Sequence, residues 1–245
     1  MMHLDATRVR AVVRKELRDY RRNRSIVVAM AILPAIFILQ PTLSIFLGSP
    51  SSDRQYFALP LLLLLLIPVI TPSTLAAYSV VGEREQGTLE PLLTTPISRQ
   101  ELILGKAAAV MIPTLAISYA VFGLFLAAVR LFANPVIASD VFAQGPVLLA
   151  LFLFAPLLAG WAIVVGMAVS VRASEVRVAQ QLGMIASFPP LSVVVLLGVG
   201  VIHPTFKVAV VFAVGLLAVD ARALRIVARM FDRERLVTGA KAARS

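Results

Sequence analysis

The sequence of 245 residues contains no cysteine and only two histidines, His3 and His203. Without cysteine the chain forms no disulfides, no thiolate metal sites and no cysteine nucleophile. The two histidines are far apart in the sequence, and each lies at the edge of an apolar segment, so no histidine triad or metal cluster is apparent. We therefore expect no catalytic site, no cofactor and no metal on this chain.

Charged residues are also scarce, at 15% of the sequence, whereas soluble domains typically contain about 25%. The hydrophobic fraction is 59% and the mean hydropathy is +0.90. These values exclude an ordinary soluble domain and indicate an integral membrane protein. The predicted class is all-α, because isolated strands cannot satisfy their backbone in lipid and the sequence does not alternate as barrel strands do.

Six apolar segments follow a basic N-terminal arm, and each has roughly the 20 residues that a bilayer-spanning helix needs. The predicted spans are residues 25–47, 57–81, 104–132, 146–171, 181–202 and 204–221. The whole chain, 1–245, is thus interpreted as one transmembrane domain, with an interfacial helix at 1–24, a six-span bundle at 25–221 and a basic cytoplasmic tail at 222–245. Pro189 and Pro190 are predicted to break the fifth helix.

The N-terminal arm carries apolar residues at helical spacing between arginines, namely Val9, Val12, Val13, Leu17 and Tyr20. This pattern predicts an amphipathic helix in the cytoplasmic headgroup layer, where basic side chains meet anionic lipids. The alternative is a solvated basic arm that only sets topology.

Basic residues also predict the orientation. With the N-terminus in the cytoplasm, only Arg54, Arg130 and Lys207 of the 23 lysines and arginines fall on the opposite side. By the positive-inside rule both termini and the loop between spans two and three are cytoplasmic. The membrane is expected to be a prokaryotic cell membrane. Because the basic residues lie at helix ends and do not form one continuous basic surface, nucleic acid is not an expected partner.

The longest polar interruption is residues 82–106, GEREQGTLEPLLTTPISRQELILGK. Thr88 is a suitable N-cap and Pro91 is tolerated in a first turn, so residues 88–94 are predicted to form a short helix that ends before Pro96. Ser98 and Glu101 have the spacing of a capping box for the next helix. No GxxxxGK[ST] motif is present, since Gly105-Lys106 is followed by Ala107. Any ATP is therefore bound by another subunit.

This stretch, placed after the second of six spans, resembles the signature of permease subunits of ABC-2 type ATP-binding-cassette transporters. The resemblance implies a half-transporter whose loop is a coupling helix that docks on a separate nucleotide-binding subunit, where Mg-ATP is hydrolysed. It also implies a second permease chain, most simply a homodimer, two ATPase subunits and export of the substrate. The residues expected to take part in ATPase coupling are Glu83, Arg84, Glu85, Gly87, Thr88, Leu89, Glu90, Leu92, Leu93, Pro96, Arg99 and Lys106. Docking of a periplasmic adaptor is doubtful, because the first external loop is only residues 48–56. The second external loop, residues 133–145, is also too short for a domain.

Several of these residues invite a physical interpretation. Glu83 and Glu85 follow span two, where the helix dipole disfavours each carboxylate by roughly 0.3–1 kcal/mol. We predict that arginines of the N-terminal helix clamp them, the alternative being simple solvation. Leu89, Leu92 and Leu93 face either the ATPase groove or the loop's own packing. Arg99 and Lys106 contact either acidic residues of the partner or lipid headgroups.

Polar groups within the spans are few. Asp220 is the clearest intramembrane carboxylate, and it is expected to pair with Arg222, Arg225 or a neighbouring helix. Thr71, Thr74, Tyr78 and Tyr119 are weak candidates for a substrate pathway, although the same side chains could instead join helix to helix. So little charge favours an amphipathic or lipid-like substrate; drug, lipid-linked intermediate and peptide all remain open. The alternative function is a membrane anchor or sensor that docks an ABC ATPase without moving a solute.

Overall fold

The computed structural model describes residues 5–47, 57–83, 97–201 and 206–230, and all regular structure within these ranges is helical. The α-helices, numbered here in chain order, are α1 Ala6–Arg22, α2 Arg24–Phe46, α3 Ala58–Leu63, α4 Leu66–Ala77, α5 Arg99–Phe132, α6 Pro135–Ala143, α7 Gly145–Arg172, α8 Val176–Gly198 and α9 Phe206–Met230. A π-helical turn, Tyr78–Gly82, continues α4.

Five stretches of the described chain are long and apolar enough to cross a membrane: Ile26–Phe46, Ala58–Ala77, Arg99–Phe132, Gly145–Arg172 and Val176–Leu197. They correspond to the first five predicted spans. The sixth segment forms α9, which also carries Lys207, Asp220 and Arg222 and is not among the five. The helix continues to Met230, so residues 222–230 extend α9 beyond the sixth predicted span.

Helix α4 lies at the centre of the bundle, where it packs against α2, α5, α7 and α8. The leucine run that precedes it is buried as well, since Leu61, Leu62, Leu64 and Leu65 are fully covered by protein. The apolar second span therefore forms the core of the bundle, and its hydrophobicity is used in helix packing more than in contact with lipid.

The π-helical turn depends on a side chain from α7. The Ser170 hydroxyl donates to the carbonyl of Ala77 at 2.7 Å and accepts from the N–H of Val81 at 3.2 Å. In an α-helix the N–H of Val81 would donate to the carbonyl of Ala77, and the Ser170 hydroxyl bridges these two groups where the π-turn breaks that bond. The turn ends at Gly82, and Glu83 follows it directly.

The predicted break at Pro189-Pro190 is wrong, because α8 runs continuously through both residues. A proline at position 190 cannot donate to the carbonyl of Ala186, four residues earlier. The indole N–H of Trp161, on α7, donates to that carbonyl at 3.0 Å instead. A neighbouring helix thus satisfies the oxygen that the proline leaves unpaired, which is how prolines are tolerated in membrane helices.

Residues 133–145 were expected to be a loop and instead contain α6. Asn134 is its N-cap and accepts a hydrogen bond from the N–H of Val136 at 3.0 Å. Pro135 follows at the first helical position, where its missing N–H costs nothing. The Asn-Pro pair is thus a helix start signal, which the sequence interpretation overlooked.

Candidate functional site

The candidate site begins where α1 lies across the start of α5. Val12, Glu16 and Tyr20 follow each other at four-residue spacing and form the buried face of α1. Gly105 allows the close approach, since a Cβ at this position would lie 2.6 Å from Cβ and Cγ1 of Val12. Real Cβ atoms do not come so close, so only glycine permits this crossing.

Lys106 follows Gly105 and is completely buried at this crossing. Its ammonium nitrogen lies 3.0 Å from Oε1 of Glu16, on α1, and 2.8 Å from Oε2 of Glu83, after the π-turn. Both carboxylates are also buried, at 4% and 7% exposure. A buried cation of this kind requires close counter-charges, and here two separate segments supply them.

Lys15 is a second bridge between the same carboxylates. Its Nζ donates to Oε1 of Glu83 at 2.7 Å and to Oε1 of Glu16 at 3.3 Å, and it lies 3.4 Å from Oδ2 of Asp19. We refer to Lys15, Glu16, Glu83 and Lys106 as the ion cluster. Two lysines oppose two glutamates, so the cluster has no net charge.

The charges of the cluster shift the pKa values of its two members on α1, Lys15 and Glu16. Burial alone would raise the pKa of Glu16, but Lys106 and Lys15 outweigh it and hold this pKa below its ordinary value. Burial likewise opposes ionisation of Lys15, yet Glu16, Glu83 and Asp19 together raise its pKa. Both groups are therefore ionised at neutral pH.

A second connection joins the beginnings of α1 and α5. The expected capping box is confirmed: Ser98 Oγ accepts from the N–H of Glu101 at 3.2 Å, and Glu101 Oε2 accepts from the N–H of Ser98 at 2.8 Å. The other carboxylate oxygen accepts from the N–H of Asp5 at 2.9 Å. Arg8 Nη1 lies 3.8 Å from Oε2 of Glu101. Glu101 therefore caps α5 and holds the N-terminus of α1 against it.

Together these contacts tie α1 to the two segments that flank residues 84–96. Glu83 precedes that stretch, and Ser98, Glu101 and Lys106 follow it. A displacement of residues 84–96 would therefore act on α1, the end of the second span and the start of the third at once. The arrangement can therefore transmit a mechanical force from residues 84–96 to these three helical segments.

Among the predicted coupling residues, Glu83 is held by the N-terminal helix, and within the described part of the chain Lys15 makes this contact at 2.7 Å. Lys106 is fully enclosed and does not reach lipid headgroups or an external acidic surface. Arg99 is exposed in the first turn of α5. The other predicted coupling residues lie outside the described part of the chain: Arg84, Glu85, Gly87, Thr88, Leu89, Glu90, Leu92, Leu93 and Pro96.

The sequence interpretation missed Lys15 and Glu16. A signal for Glu16 was available, since it lies midway between Val12 and Tyr20 on the apolar face of a basic helix. A carboxylate at such a position is expected to be buried against a cation. Nothing in the local sequence distinguishes Lys15 from the surrounding arginines.

The four pathway candidates lie in different surroundings. Thr71 and Thr74 are buried on α4, and Thr74 Oγ1 donates to the carbonyl of Ile70 at 3.3 Å. Tyr78, one turn later, lines a polar cavity beside the ion cluster. Tyr119 lies on α5, where its hydroxyl donates to the carbonyl of Phe152 at 3.1 Å and its ring stacks on that residue. The contacts of Thr74 and Tyr119 are those of helix packing, so a transport role for either stays a prediction.

Asp220 is buried against α7, where Gly160 makes room for it. A Cβ at position 160 would lie 2.8 Å from Oδ2 of Asp220. In the described part of the chain Asp220 forms no ion pair with Arg222 or Arg225, and its Oδ1 has no hydrogen-bond partner. The expected pairing with these arginines is therefore wrong. Within the described ranges no group of three His, Asp or Glu residues could hold a metal ion.

Comparison with known proteins gives both a family and two relatives. The family model for the ABC-2 family transporter protein matches residues 10–228. The probable multidrug ABC transporter permease YbhR of Escherichia coli (strain K12) is 36% identical over 64 residues, which are 26% of this chain and 17% of YbhR. The probable ABC transporter permease protein NosY of Stutzerimonas stutzeri is 39% identical over 101 residues, which are 39% of this chain and 36% of NosY.

The aligned stretches thus span about a sixth of YbhR and about a third of NosY. The family model, in contrast, covers α2 to α8 entirely, together with most of α1 and α9. Several apolar helices of membrane-spanning length lie within the matched region. This chain is a multi-pass membrane protein that belongs to the ABC-2 family of transporter proteins.

Proposed function

We propose that this chain is the permease subunit of an ABC exporter in a prokaryotic cell membrane. ATP hydrolysis takes place on a separate nucleotide-binding subunit, and two such subunits act with two copies of this chain. Residues 84–96 form the coupling element that docks on the ATPase. Both termini and this element face the cytoplasm, as the distribution of basic residues favours.

The observation that carries the proposal is the ion cluster. Lys106, Glu83 and Glu16 join the two spans that flank residues 84–96 to α1, with contacts of 2.8 and 3.0 Å around a fully buried ammonium group. A push from the ATPase on this element reaches the bundle through charged contacts in a low-dielectric site, which are stiffer than contacts in water. Helix α1 then moves with the second and third spans as one unit, and α9 completes the bundle as a sixth span.

The small number of charges in the spans favours an amphipathic or lipid-like substrate. Within the described spans the buried polar side chains include Thr71, Ser73, Thr114, Ser118 and Ser187, all small hydroxyl groups. Such groups suit a compound that is recognised mainly through apolar contact. A bare ion would need fixed charges or a ring of carbonyls along its path.

A pull-down from detergent with a candidate cassette ATPase tests this function. We expect the ATPase to co-purify with the wild-type chain and to be released by the double change Leu89→Asp and Leu92→Asp, because carboxylates oppose burial in an apolar groove. The matched control is Leu236→Asp with Val237→Asp, in the basic C-terminal segment, which should leave the complex intact. Failure of the wild-type chain to bind, or equal loss in both double variants, would refute the proposal.

Transport in vesicles containing the complex separates the two functional classes. ATP-dependent movement of an amphipathic probe dye, lost in the Leu89 and Leu92 double variant, supports the exporter. Stable ATPase binding without movement of lipid-like or drug-like probes would instead favour an anchor or sensor.

A further inference from the structure

A polar cavity of about 640 Å³ lies between the end of α1, the start of α2 and the π-turn. Its lining includes Arg22 and Arg24, together with Asp19, Tyr20 and Tyr78. The basic pair lies where the charged arm passes into the apolar helix α2, so the cavity is at the depth of lipid headgroups.

An apolar groove of about 660 Å³ adjoins this cavity. One wall is α2, with Val27, Met30 and Pro34, and the other is α5, with Ile117 and Val121. At the end nearest α1 the lining contains Arg21 and Tyr20. Tyr20 lines both spaces, so its side chain lies between the polar cavity and the apolar groove.

The hydroxyl group of Tyr20 has no hydrogen-bond partner in the described part of the chain, although the residue is only 6% exposed. A buried hydroxyl without a partner is unfavourable, which indicates that a ligand or water satisfies it. Burial, reinforced by Glu16, Glu83 and Asp19, raises the pKa of Tyr20. The hydroxyl therefore keeps its proton and is available as a donor.

The charge balance of the cavity favours an anion. The ion cluster is neutral within itself, so the remaining charged groups that line the cavity are Asp19, Arg22 and Arg24, with a net charge of +1. Arg22 and Arg24 are exposed and form no ion pair within the described ranges. Guanidinium groups suit the oxygen geometry of phosphate, to which they donate two parallel hydrogen bonds.

We propose that the cavity and the groove form one binding site for a phospholipid. The phosphate lies against Arg22 and Arg24 and accepts a hydrogen bond from the Tyr20 hydroxyl, while one acyl chain fills the groove between α2 and α5. The site does not depend on which solute is transported. The bound lipid fixes the C-terminal end of α1 against the bundle, whereas the Glu101 contact with Asp5 fixes its N-terminal end.

Native mass spectrometry of the delipidated full-length chain tests the site, with a phosphatidylglycerol as the probe. We expect saturable binding that falls at least about tenfold in Arg22→Gln with Arg24→Gln, since charged hydrogen bonds are lost. Arg10→Gln with Arg14→Gln is the matched control, because both arginines are exposed on α1 and line neither space. Equal binding by the two double variants would overturn the proposal.

Two further probes identify which part of the lipid is recognised. A diacylglycerol with the same chains but no phosphate should bind at least about tenfold more weakly, and inorganic phosphate should not displace the phospholipid. Equal affinity for the diacylglycerol, or full displacement by phosphate, would contradict a site that recognises both the phosphate and the acyl chain of the lipid. Tyr20→Phe, which keeps the ring and removes the donor, should weaken phosphatidylglycerol binding without weakening diacylglycerol binding. Circular dichroism of each variant verifies that the helical fold is retained.

Discussion

The Nζ atom of Lys106 lies 2.8 Å from Oε2 of Glu83, and this pair joins the residue that precedes residues 84–96 to the third span that follows them. Lys106 is fully buried and Glu83 is 7% exposed. Each is surrounded by further members of the ion cluster, so removal of one charge leaves the others in a low-dielectric site. The cluster is therefore both a structural contact and the most sensitive point of this region.

Lys106→Met should reduce the free energy of unfolding by about 3 kcal/mol or more, because breaking a buried ion pair leaves uncompensated charge. Methionine matches the apolar stem of lysine and lacks only the terminal ammonium group, so the loss reports mainly on charge. Denaturant unfolding in detergent, followed by circular dichroism, measures the change. Lys207→Met, at an exposed position on α9, is the control and should change the stability by less than about 0.5 kcal/mol. Equal stability of the two variants would show that the ion cluster contributes nothing.

Gly105→Ala should destabilise the chain by about 1–3 kcal/mol, because the new methyl group overlaps the branched carbon of Val12. Either α1 shifts away from α5 or the side chain of Val12 is forced from its rotamer. Gly123→Ala, on the same helix α5, is the matched control, since nothing lies within 4 Å of its Cβ. There the substitution should be neutral or slightly stabilising. The difference between the two variants, measured by thermal unfolding in detergent, isolates the close approach, and its absence would contradict the described crossing.

Local signals predicted the parts of this fold that depend on neighbours in sequence. Apolar runs gave the positions of the first five spans to within a few residues, and the Ser98 and Glu101 spacing gave the start of α5. The ion cluster depends on contacts over 68 and 90 residues of chain. With seven arginines and one lysine in the N-terminal arm, the sequence does not indicate which cation meets Glu83.

Helix α8, the fifth span, also shows that local sequence signals are insufficient, here because the local signal was wrong. Two successive prolines are a strong local signal for a break, and the rule fails because Trp161 comes from another helix to satisfy Ala186. The compensating donor is 25 residues away in sequence. Only packing of α7 against α8 identifies it.

A double-mutant cycle on Trp161 and Pro190 tests this compensation. Trp161→Phe removes the indole donor and should cost about 0.5–1.5 kcal/mol for the lost hydrogen bond, in addition to the change in packing. Pro190→Ala supplies a backbone N–H that can bond to Ala186 along the helix. In the Pro190→Ala background, Trp161→Phe should therefore cost less. The measurement is the unfolding free energy of all four forms, and strictly additive changes would refute the exchange of donors.

The ion cluster also predicts how stability depends on pH. The lysines hold the pKa of Glu16 below its ordinary value of 4.5 in the folded chain, whereas in the unfolded chain the ordinary value is expected. The stabilisation from ionised Glu16 is thus fully present above the unfolded value and is lost as pH falls through the folded value. Glu16→Gln should lower stability at neutral pH and flatten its decline on acidification.

Unfolding free energies at a series of acidic pH values, for wild type and Glu16→Gln, measure this effect as a difference, which removes the contribution of the other carboxylates. The difference should be largest at neutral pH and shrink as Glu16 becomes protonated. Glu175→Gln, at an exposed position before α8, is the matched control and should follow the wild-type curve. A difference between wild type and Glu16→Gln that stays constant across this range would show that Glu16 acts through packing alone and not through its charge.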